Sequence, residues 1–227
     1  MSEWIDHEVG DSVVVRSTVV GFAESNCYVL ACRRTREAAV VDPGADTLEE
    51  TDRILAEVAR LDASLRFIVN THGHPDHFSG NDAVKAALGG EVCIHTKDAV
   101  KLTDATLNAS RMFGFDVSVA PADRLLNGGD TLDVGDVRLT VRDVPGHSVG
   151  GIVLVGDGFV LTGDTLFAGS VGRTDLPASS DESDAWDDLV SSIREKLLTL
   201  PGDTIVLPGH GPATTIAAEI EGNLYIR

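Results

Sequence analysis

Apolar residues fall along this chain in short segments, separated by turns rich in glycine, proline and aspartate. Short segments rich in valine and other β-branched residues are typical of strands. The pattern predicts strands over residues 12–20, 27–32, 38–41, 65–69, 92–95, 131–134, 137–141, 152–155, 159–161 and 204–207.

Helical spacing replaces this pattern in three places. Over 47–61, Thr47 and Glu50 form a capping box, and Ile54, Val58 and Leu61 recur at helical intervals. Helices are also predicted over two further ranges, 81–88 and 184–198. One face of the last helix is predicted to consist of Trp186, Leu189, Val190, Ile193 and Leu197.

The order of these elements favours two sheets covered by helices. A chain of 227 residues is long enough for one domain with a substantial core, and we expect a single domain over 1–227.

Five of the seven histidines follow predicted strands through short loops with glycine or proline. Because loops at the ends of rigid strands can converge on one point, we expect a shared site there. Imidazole and carboxylate donors together favour zinc, iron or manganese over calcium. The alternative, a merely solvated polar loop, does not account for so many histidines. The candidate ligands are His72, His74, Asp76, His77, His147, Asp164 and His210.

The HxHxDH motif at 72–77, followed by Gly-His, Gly-Asp and Gly-His, resembles the metallo-β-lactamase superfamily over nearly the whole chain. The resemblance implies an α/β fold, an αββα sandwich of two mixed sheets flanked by helices. It also implies two divalent metal ions, with zinc expected and iron or manganese as alternatives. The implied ligands are His72, His74 and His147 for the first metal and Asp76, His77 and His210 for the second, with Asp164 bridging.

This arrangement implies hydrolysis by a shared hydroxide, because a bound cation lowers the pKa of water toward roughly 7. Asp76 would orient the hydroxide, Asp164 would join the metals, and both carboxylates are the expected catalytic residues. The metals would polarise the attacked carbonyl. No cysteine nucleophile is needed, and a closed structural zinc site, which uses four ligands that are often cysteines, fits poorly. We expect the cysteines to lie in the core: Cys27, Cys32 and Cys93.

Three segments narrow the choice within the superfamily. Residues 163–175, which end in Gly-Arg-Thr-Asp, resemble glyoxalase II-like thioesterases and the related persulfide dioxygenases. Residues 110–114 and 208–215 resemble the short, single-domain glyoxalase II (hydroxyacylglutathione hydrolase-like) type. The implied reaction is cleavage of a thioester of a small thiol, such as an S-lactoyl conjugate. The chain ends 17 residues after His210, so we expect no separate glutathione-binding domain, and the thiol stays open.

A second reaction class uses the same residues. In a persulfide dioxygenase, one iron would be held by His72, His147 and Asp164, which leave positions open for oxygen. All seven candidate ligands are compatible with both reactions, and hydrolysis of a lactone or a phosphodiester also remains open.

Two interpretations each remain for Arg173 with its neighbour Asp175, for Arg111 and for Asp42. Arg173 either has a functional role, binding a substrate carboxylate or ordering the loop beside Asp164, or forms a structural pair with Asp175 that locks the loop. Arg111 either lines the substrate channel or packs. Asp42 resembles the aspartate that the family buries behind its ligands, and is otherwise a turn residue before proline.

The charge balance changes the expected partners. Acidic residues number 36 against 18 basic ones, a net charge of −18. Such a surface disfavours nucleic acid and anionic membranes, so we expect a small-molecule thioester as the partner. With no long apolar run, no signal-peptide pattern and unpaired cysteines, we expect a cytoplasmic location. The charge also suggests a halophilic protein, since salt screens self-repulsion, although an ordinary acidic protein has the same composition.

Overall fold

The computed structural model describes residues 4–176 and 185–226. The start of the predicted helix over 184–198 therefore lies outside the described residues, as do both ends of the predicted domain. The strands form two large sheets and one small ribbon.

The first sheet has seven strands in chain order, antiparallel from β1 to β4 and parallel from β4 to β7. Its strands are β1 (Ile5–His7), β2 (Val13–Val20), β3 (Ser25–Cys32), β4 (Glu37–Val41), β5 (Ser64–Val69), β6 (Glu91–His95) and β7 (Arg124–Leu126).

The second sheet has six strands in the order β15-β14-β11-β10-β9-β8, with β11 and β14 parallel. Its strands are β8 (Thr131–Val134), β9 (Val137–Asp143), β10 (Ile152–Val155), β11 (Phe159–Gly163), β14 (Ile205–Pro208) and β15 (Thr214–Thr215). The ribbon pairs β12 (Leu166–Phe167) with β13 (Ser170–Val171). All ten predicted strands are present. The unpredicted strands have two or three residues each, which is too short for an alternation to be visible.

In the described part of the chain, five α-helices accompany the sheets: α1 (Leu48–Arg60), α2 (Pro75–Phe78), α3 (Asn81–Leu88), α4 (Ala185–Lys196) and α5 (Ile216–Gly222). The capping box is confirmed, since Glu50 N–H donates to Thr47 Oγ1 at 3.2 Å and Thr47 N–H donates to Glu50 Oε2 at 3.3 Å. The apolar side of α1 is buried, as predicted.

Trp186 is the exposed member of the predicted apolar face of α4. That side chain is 43% exposed and meets the edge of Tyr225, with ring centroids 6.2 Å apart, whereas Leu189, Val190 and Ile193 are buried. Trp186 lies in the first turn of α4, on the same face as Leu189 and Val190.

Three apolar layers hold the fold together. One lies between the two sheets and includes Leu30 and Leu161. Another packs the first sheet against α1 and α3 and includes Val29 and Ile54. A third packs the second sheet against α4 and α5. Because neighbouring strand residues point to opposite faces, Val29 and Leu30 enter different layers. The predicted αββα sandwich is confirmed.

Strands from both sheets end at one edge of the sandwich. The loops after β5, β11 and β14 meet there, and Ser25 at the start of β3 forms a bridge with His210. All three cysteines are free and buried, as expected. Among the described helices, none is long and apolar enough to cross a membrane.

Candidate metal centre

Three histidines from two loops converge to form what we call the first group: His72, His74 and His147. His147 Nε2 lies 2.9 Å from His74 Nδ1 and 3.2 Å from His72 Nε2. All three side chains are buried.

The second group consists of Asp76, His77 and His210. Asp76 Oδ2 lies 3.2 Å from His77 Nε2 and 3.3 Å from His210 Nε2. Asp164 lies between the groups, with Oδ1 at 3.4 Å from His77 Nε2 and Oδ2 at 3.5 Å from both His147 Nε2 and His210 Nε2. The structure therefore brings all seven candidate ligands together.

The donor atoms fit divalent cations. Donor atoms within each of three overlapping triads lie within 4.8 Å of one another. A tetrahedral zinc ion with Zn–N distances of about 2.0–2.1 Å separates its ligands by about 3.4 Å, close to the spacing in the first group. His77 Nε2 and Asp164 Oδ1 are buried and make no hydrogen bond with the described residues. Buried polar atoms without partners are costly, and a bound cation would satisfy these two.

The HxHxDH segment directs its side chains apart because a helix begins inside it. Pro75 occupies the first position of α2, where its fixed φ is favourable, and His74 precedes it with extended backbone angles of −91° and 146°. His74 consequently points to the first group, while Asp76 and His77, on the helical turn, face the second.

Asp42 lies behind His77. Its carboxylate accepts hydrogen bonds from Thr71 N–H at 2.8 Å and Thr71 Oγ1 at 2.7 Å, and Oδ2 lies 3.1 Å from His77 Nδ1. Asp42 is buried and has a positive φ of 52°, an unfavourable conformation for a residue before proline. These contacts fix the orientation of the His77 ring, as carboxylates behind metal-binding histidines do.

A buried ionic cluster behind the first group was missed by the sequence analysis. The Asp98 carboxylate accepts hydrogen bonds from Gly73 N–H at 2.8 Å, Gly150 N–H at 2.9 Å and Ser148 Oγ. Lys101 Nζ donates to Ser148 Oγ and lies 3.2 Å from Asp98 Oδ1. The cluster joins the loop of His72 and His74 to the loop of His147. Ser148 follows His147 directly, which was a usable signal, but no local pattern singles out Asp98 or Lys101.

Strand β3 supports the second group, which the sequence analysis also missed. Ser25 Oγ donates to Asp76 Oδ2 at 2.8 Å. The Asn26 side chain and the Tyr28 hydroxyl both donate to the carbonyl of Pro208, at 2.9 Å and 2.7 Å. The loop that carries His210 is thereby attached to the opposite sheet.

Gly209 allows the close approach of this loop to Asp164. A Cβ atom at position 209 would lie 2.2 Å from Asp164 Oδ1 and 2.8 Å from His77 Cε1. Any side chain there would displace a candidate ligand.

The two groups differ in electrostatics. Burial, together with the neighbouring imidazoles, holds the pKa of His72 well below its usual range. Burial, His147 and Lys101 do the same to the pKa of His74. The pKa of His147 is also lowered, chiefly by burial. In the first group, burial thus favours the neutral form of all three imidazoles.

In the second group, burial alone would lower the pKa of both histidines, but the neighbouring carboxylates have the larger effect and raise it. Asp76, Asp164 and Asp42 raise the pKa of His77 well above its usual range. Hydrogen bonds with Asp164 and Asp76 raise the pKa of His210 to about 9. Burial opposes ionisation of Asp76, yet His77 and His210 hold its pKa well below the usual range.

Arg173 has a backbone role that neither interpretation included. Its carbonyl accepts from His147 Nδ1 at 2.7 Å, which orients that ring. Its side chain pairs with Asp175 at 2.6 Å and lines the cavity described below. Arg111, by contrast, is held 3.3 Å from Asp116 and is not among the residues that line the cavity.

A cavity of about 260 Å³ opens above the two groups. His74, Asp76, His147, Asp164 and His210 form its floor. Cations bound to these side chains would be accessible from the cavity.

Comparison with known proteins identifies the class that this fold and site define. The family model of the metallo-beta-lactamase superfamily matches residues 20–210. The chain belongs to this superfamily.

Two relatives align over most of their length. The chain is 36% identical to the probable metallo-hydrolase YqgX of Bacillus subtilis, covering 93% of this chain and 96% of that protein. It is 32% identical to the hydroxyacylglutathione hydrolase GloC of Haemophilus influenzae, covering 84% of this chain and 88% of that protein.

Solved structures agree. BLEG-1 B3 metallo-beta-lactamase matches with a TM-score of 0.84 and 34% identity, covering 93% of this chain and 99% of that one. ETHE1 from Myxococcus xanthus matches with a TM-score of 0.73 and 28% identity, over 92% and 83%. TTHA1623, solved in a di-iron-bound form, matches with a TM-score of 0.76 and 31% identity, over 92% and 98%.

Proposed function

We propose that this chain is a dinuclear metal hydrolase that cleaves thioesters of a small thiol, with an S-lactoyl conjugate as the first substrate to test. The observation that carries the proposal is the arrangement of seven donors in two groups, joined by Asp164, beneath a cavity. Two cation sites that share a carboxylate are typical of hydrolytic metal centres.

When bound, the cations supply Lewis acidity, which lowers the pKa of water toward about 7 and polarises the attacked carbonyl. Asp76, fixed by Ser25, accepts a hydrogen bond from the attacking water and orients it toward the thioester carbon. Asp164 holds the two groups at a fixed separation. Water adds to the carbonyl carbon, the C–S bond breaks, and the thiolate takes a proton, giving a carboxylic acid and a free thiol.

The printed name of GloC, a hydroxyacylglutathione hydrolase, supports hydrolysis of a hydroxyacyl thioester. Zinc is the expected metal, because three imidazoles suit it, although the di-iron form of TTHA1623 supports iron equally.

The second candidate is a mononuclear iron persulfide dioxygenase. The likeness to ETHE1 supports it to the same degree as GloC supports the thioesterase. His72, His147 and Asp164 would hold the iron, and the other four donors would lie idle nearby.

The test is metal content per chain, combined with paired assays on an S-lactoyl thioester and on a persulfide in molar KCl. About two metals and thioester cleavage without oxygen uptake are expected. One iron per chain, together with oxygen consumption on the persulfide, would show that the protein is a dioxygenase and not a hydrolase.

His74→Ala and His210→Ala separate the two reactions further. A dinuclear hydrolase loses metal and activity in both variants, whereas a mononuclear dioxygenase retains its iron. His7→Ala is the control, because His7 is a histidine outside the seven candidate ligands, on β1, where it hydrogen-bonds Ser17.

Three broader expectations remain proposals. We propose one domain over the whole chain, a cytoplasmic location supported by three free cysteines, and a requirement for high salt supported by the net charge of −18. If salt is required, the melting temperature rises between low and molar KCl as screening increases. An unchanged melting temperature would refute the halophilic proposal.

A further inference from the structure

The short ribbon of β12 and β13 lies between two residues of the site. It begins two residues after Asp164 and ends two residues before Arg173. Its turn consists of Ala168 and Gly169, and Gly169 has a positive φ of 73°. A shift of the ribbon would therefore move the backbone at both Asp164 and Arg173.

The ribbon and its two ends are in contact with ligands of both groups. Asp164, the carboxylate between the groups, directly precedes the ribbon. The Arg173 carbonyl, after the ribbon, accepts from His147 Nδ1 at 2.7 Å. Within the ribbon, the Phe167 ring meets the His210 ring edge to face, with centroids 6.1 Å apart and an angle of 74°. The position of the ribbon thus bears on three of the seven candidate ligands.

A buried glutamate on α5 holds the turn of the ribbon. Glu219 is 3% exposed, and its Oε2 accepts from Gly169 N–H at 2.9 Å and from the Asn223 side-chain amide at 2.7 Å. The other oxygen, Oε1, accepts from Thr214 Oγ1 at 2.7 Å. Asn223 also donates to the Ser170 carbonyl at 3.0 Å, so α5 is attached to the ribbon at two neighbouring residues.

The same carboxylate reaches the segment that carries His210. Thr214 lies four residues after His210, on β15, and is paired with Val206 of β14. Glu219 therefore joins the segment that follows Asp164 to the segment that follows His210.

A carboxylate is a costly choice for this position. The three partners of Glu219 in the described part of the chain are all neutral, so hydrogen bonds alone offset the cost of burying the charge. An apolar side chain could pack α5 against the ribbon, but it could not direct three donors from separate segments toward one point.

We propose that Glu219 is a positioning residue for the candidate metal centre: it holds the ribbon and the loop of His210 in register, so that Asp164 and His210 face the same cation. The inference goes beyond the proposed function, because it concerns the ligands and not the substrate. It requires hydrogen bonding by residue 219 and not its negative charge. Glutamine can therefore replace Glu219, since its oxygen can accept from Gly169 and Asn223 while its amide donates to the Thr214 hydroxyl.

The experiment is a zinc titration of the metal-free protein in competition with a chromogenic chelator. The phase that His210→Ala abolishes reports the second group. In Glu219→Ala this phase should weaken by about tenfold, the lower end of the effect seen when residues behind metal ligands are lost. Glu219→Gln should restore most of the affinity. Unchanged zinc binding in Glu219→Ala, or binding as weak in Glu219→Gln as in Glu219→Ala, would overturn the inference.

The visible spectrum of the cobalt-loaded protein provides a readout that a general loss of stability does not move. At saturating cobalt, Glu219→Ala should change the absorption bands, because the arrangement of the ligands changes. Glu57→Ala is the matched control: Glu57 is also a helical glutamate that is 3% exposed, and it is held by Arg16 and Arg60. This control should lower the melting temperature and leave the spectrum unchanged. The same spectral change in both variants would contradict a positioning role for Glu219.

Should Glu219→Ala fail to fold, Thr214→Val preserves the shape of the side chain and removes one of the three hydrogen bonds. The second zinc phase should then weaken by about threefold, the value of a typical hydrogen bond. Zinc affinity equal to that of the unmodified chain would count against the inference.

Metal binding is measured without substrate, so this inference and the proposed function are tested separately. Zinc binding that depends on Glu219, in a chain that cleaves no thioester, would overturn the hydrolase and support the positioning role. Thioester hydrolysis by a chain whose zinc affinity does not depend on Glu219 would support the hydrolase and overturn the positioning role.

Discussion

The first and second groups of candidate ligands differ in their electrostatic surroundings. In the first group the pKa values of the imidazoles are lowered by burial, and behind it Lys101 and Asp98 are buried as an ion pair. The second group pairs carboxylates with histidines whose pKa values are raised, and the buried Asp42 carboxylate lies behind it. One loop, the HxHxDH segment, therefore contributes ligands to two unlike groups, because each group is supported by residues from a different part of the chain.

Asp164 is the residue that both groups share, so replacing it should produce the largest effect. Asp164→Asn should lower kcat/KM by about 10³-fold, since metal centres contribute several kcal/mol to catalysis. Metal analysis should show weaker binding at both groups. Loss of only one metal would mean that Asp164 belongs to one group and does not join them.

The buried pair behind the first group should be important for both stability and metal binding. Asp98→Ala leaves Lys101 buried without its carboxylate, which should lower the free energy of unfolding by about 3–5 kcal/mol. Denaturant titration measures this change. Asp175→Ala, which breaks the exposed pair with Arg173, is the control and should leave stability nearly unchanged.

Should Asp98→Ala fail to fold, Asp98→Asn preserves shape and still accepts a hydrogen bond. In that variant the first metal should bind more weakly and the second should be unaffected, as followed in a two-phase zinc titration. Equal weakening of both phases would contradict the assignment of this cluster to the first group.

Asp42 provides the corresponding test for the second group. Asp42→Asn should weaken binding of the second metal by about 10–100-fold, because the carboxylate that orients His77 is lost. The same zinc titration measures this affinity. Weaker binding of the first metal alone would contradict the assignment of Asp42 to the second group.

The smallest effect is expected at Ser25. Ser25→Ala removes one hydrogen bond to Asp76 and should lower kcat by about fivefold, with both metals still bound. Thr18→Ala is a matched control, because Thr18 is also a buried hydroxyl residue of the first sheet. A similar loss in both variants would assign the effect to the sheet as a whole.

Local patterns predicted most of the fold. Strand alternation and the capping box at Thr47 depend on neighbours along the chain, and those elements were found where expected. Trp186 lies on the predicted face of α4 but is exposed, because periodicity indicates which residues share a helix face and does not show how far the packing partners of that face extend. The three-residue strand β7 escaped prediction because its stability comes from pairing with β6.

The seven candidate ligands could be found from the sequence alone, because the HxHxDH segment and the glycine-flanked His and Asp residues are visible without coordinates, and the resemblance that they carry implied the αββα class. The residues that support those ligands became visible only in the tertiary structure. Asp98, Lys101 and Ser25 approach the site from other segments of the chain. Such contacts cannot be predicted from the local spacing of residues.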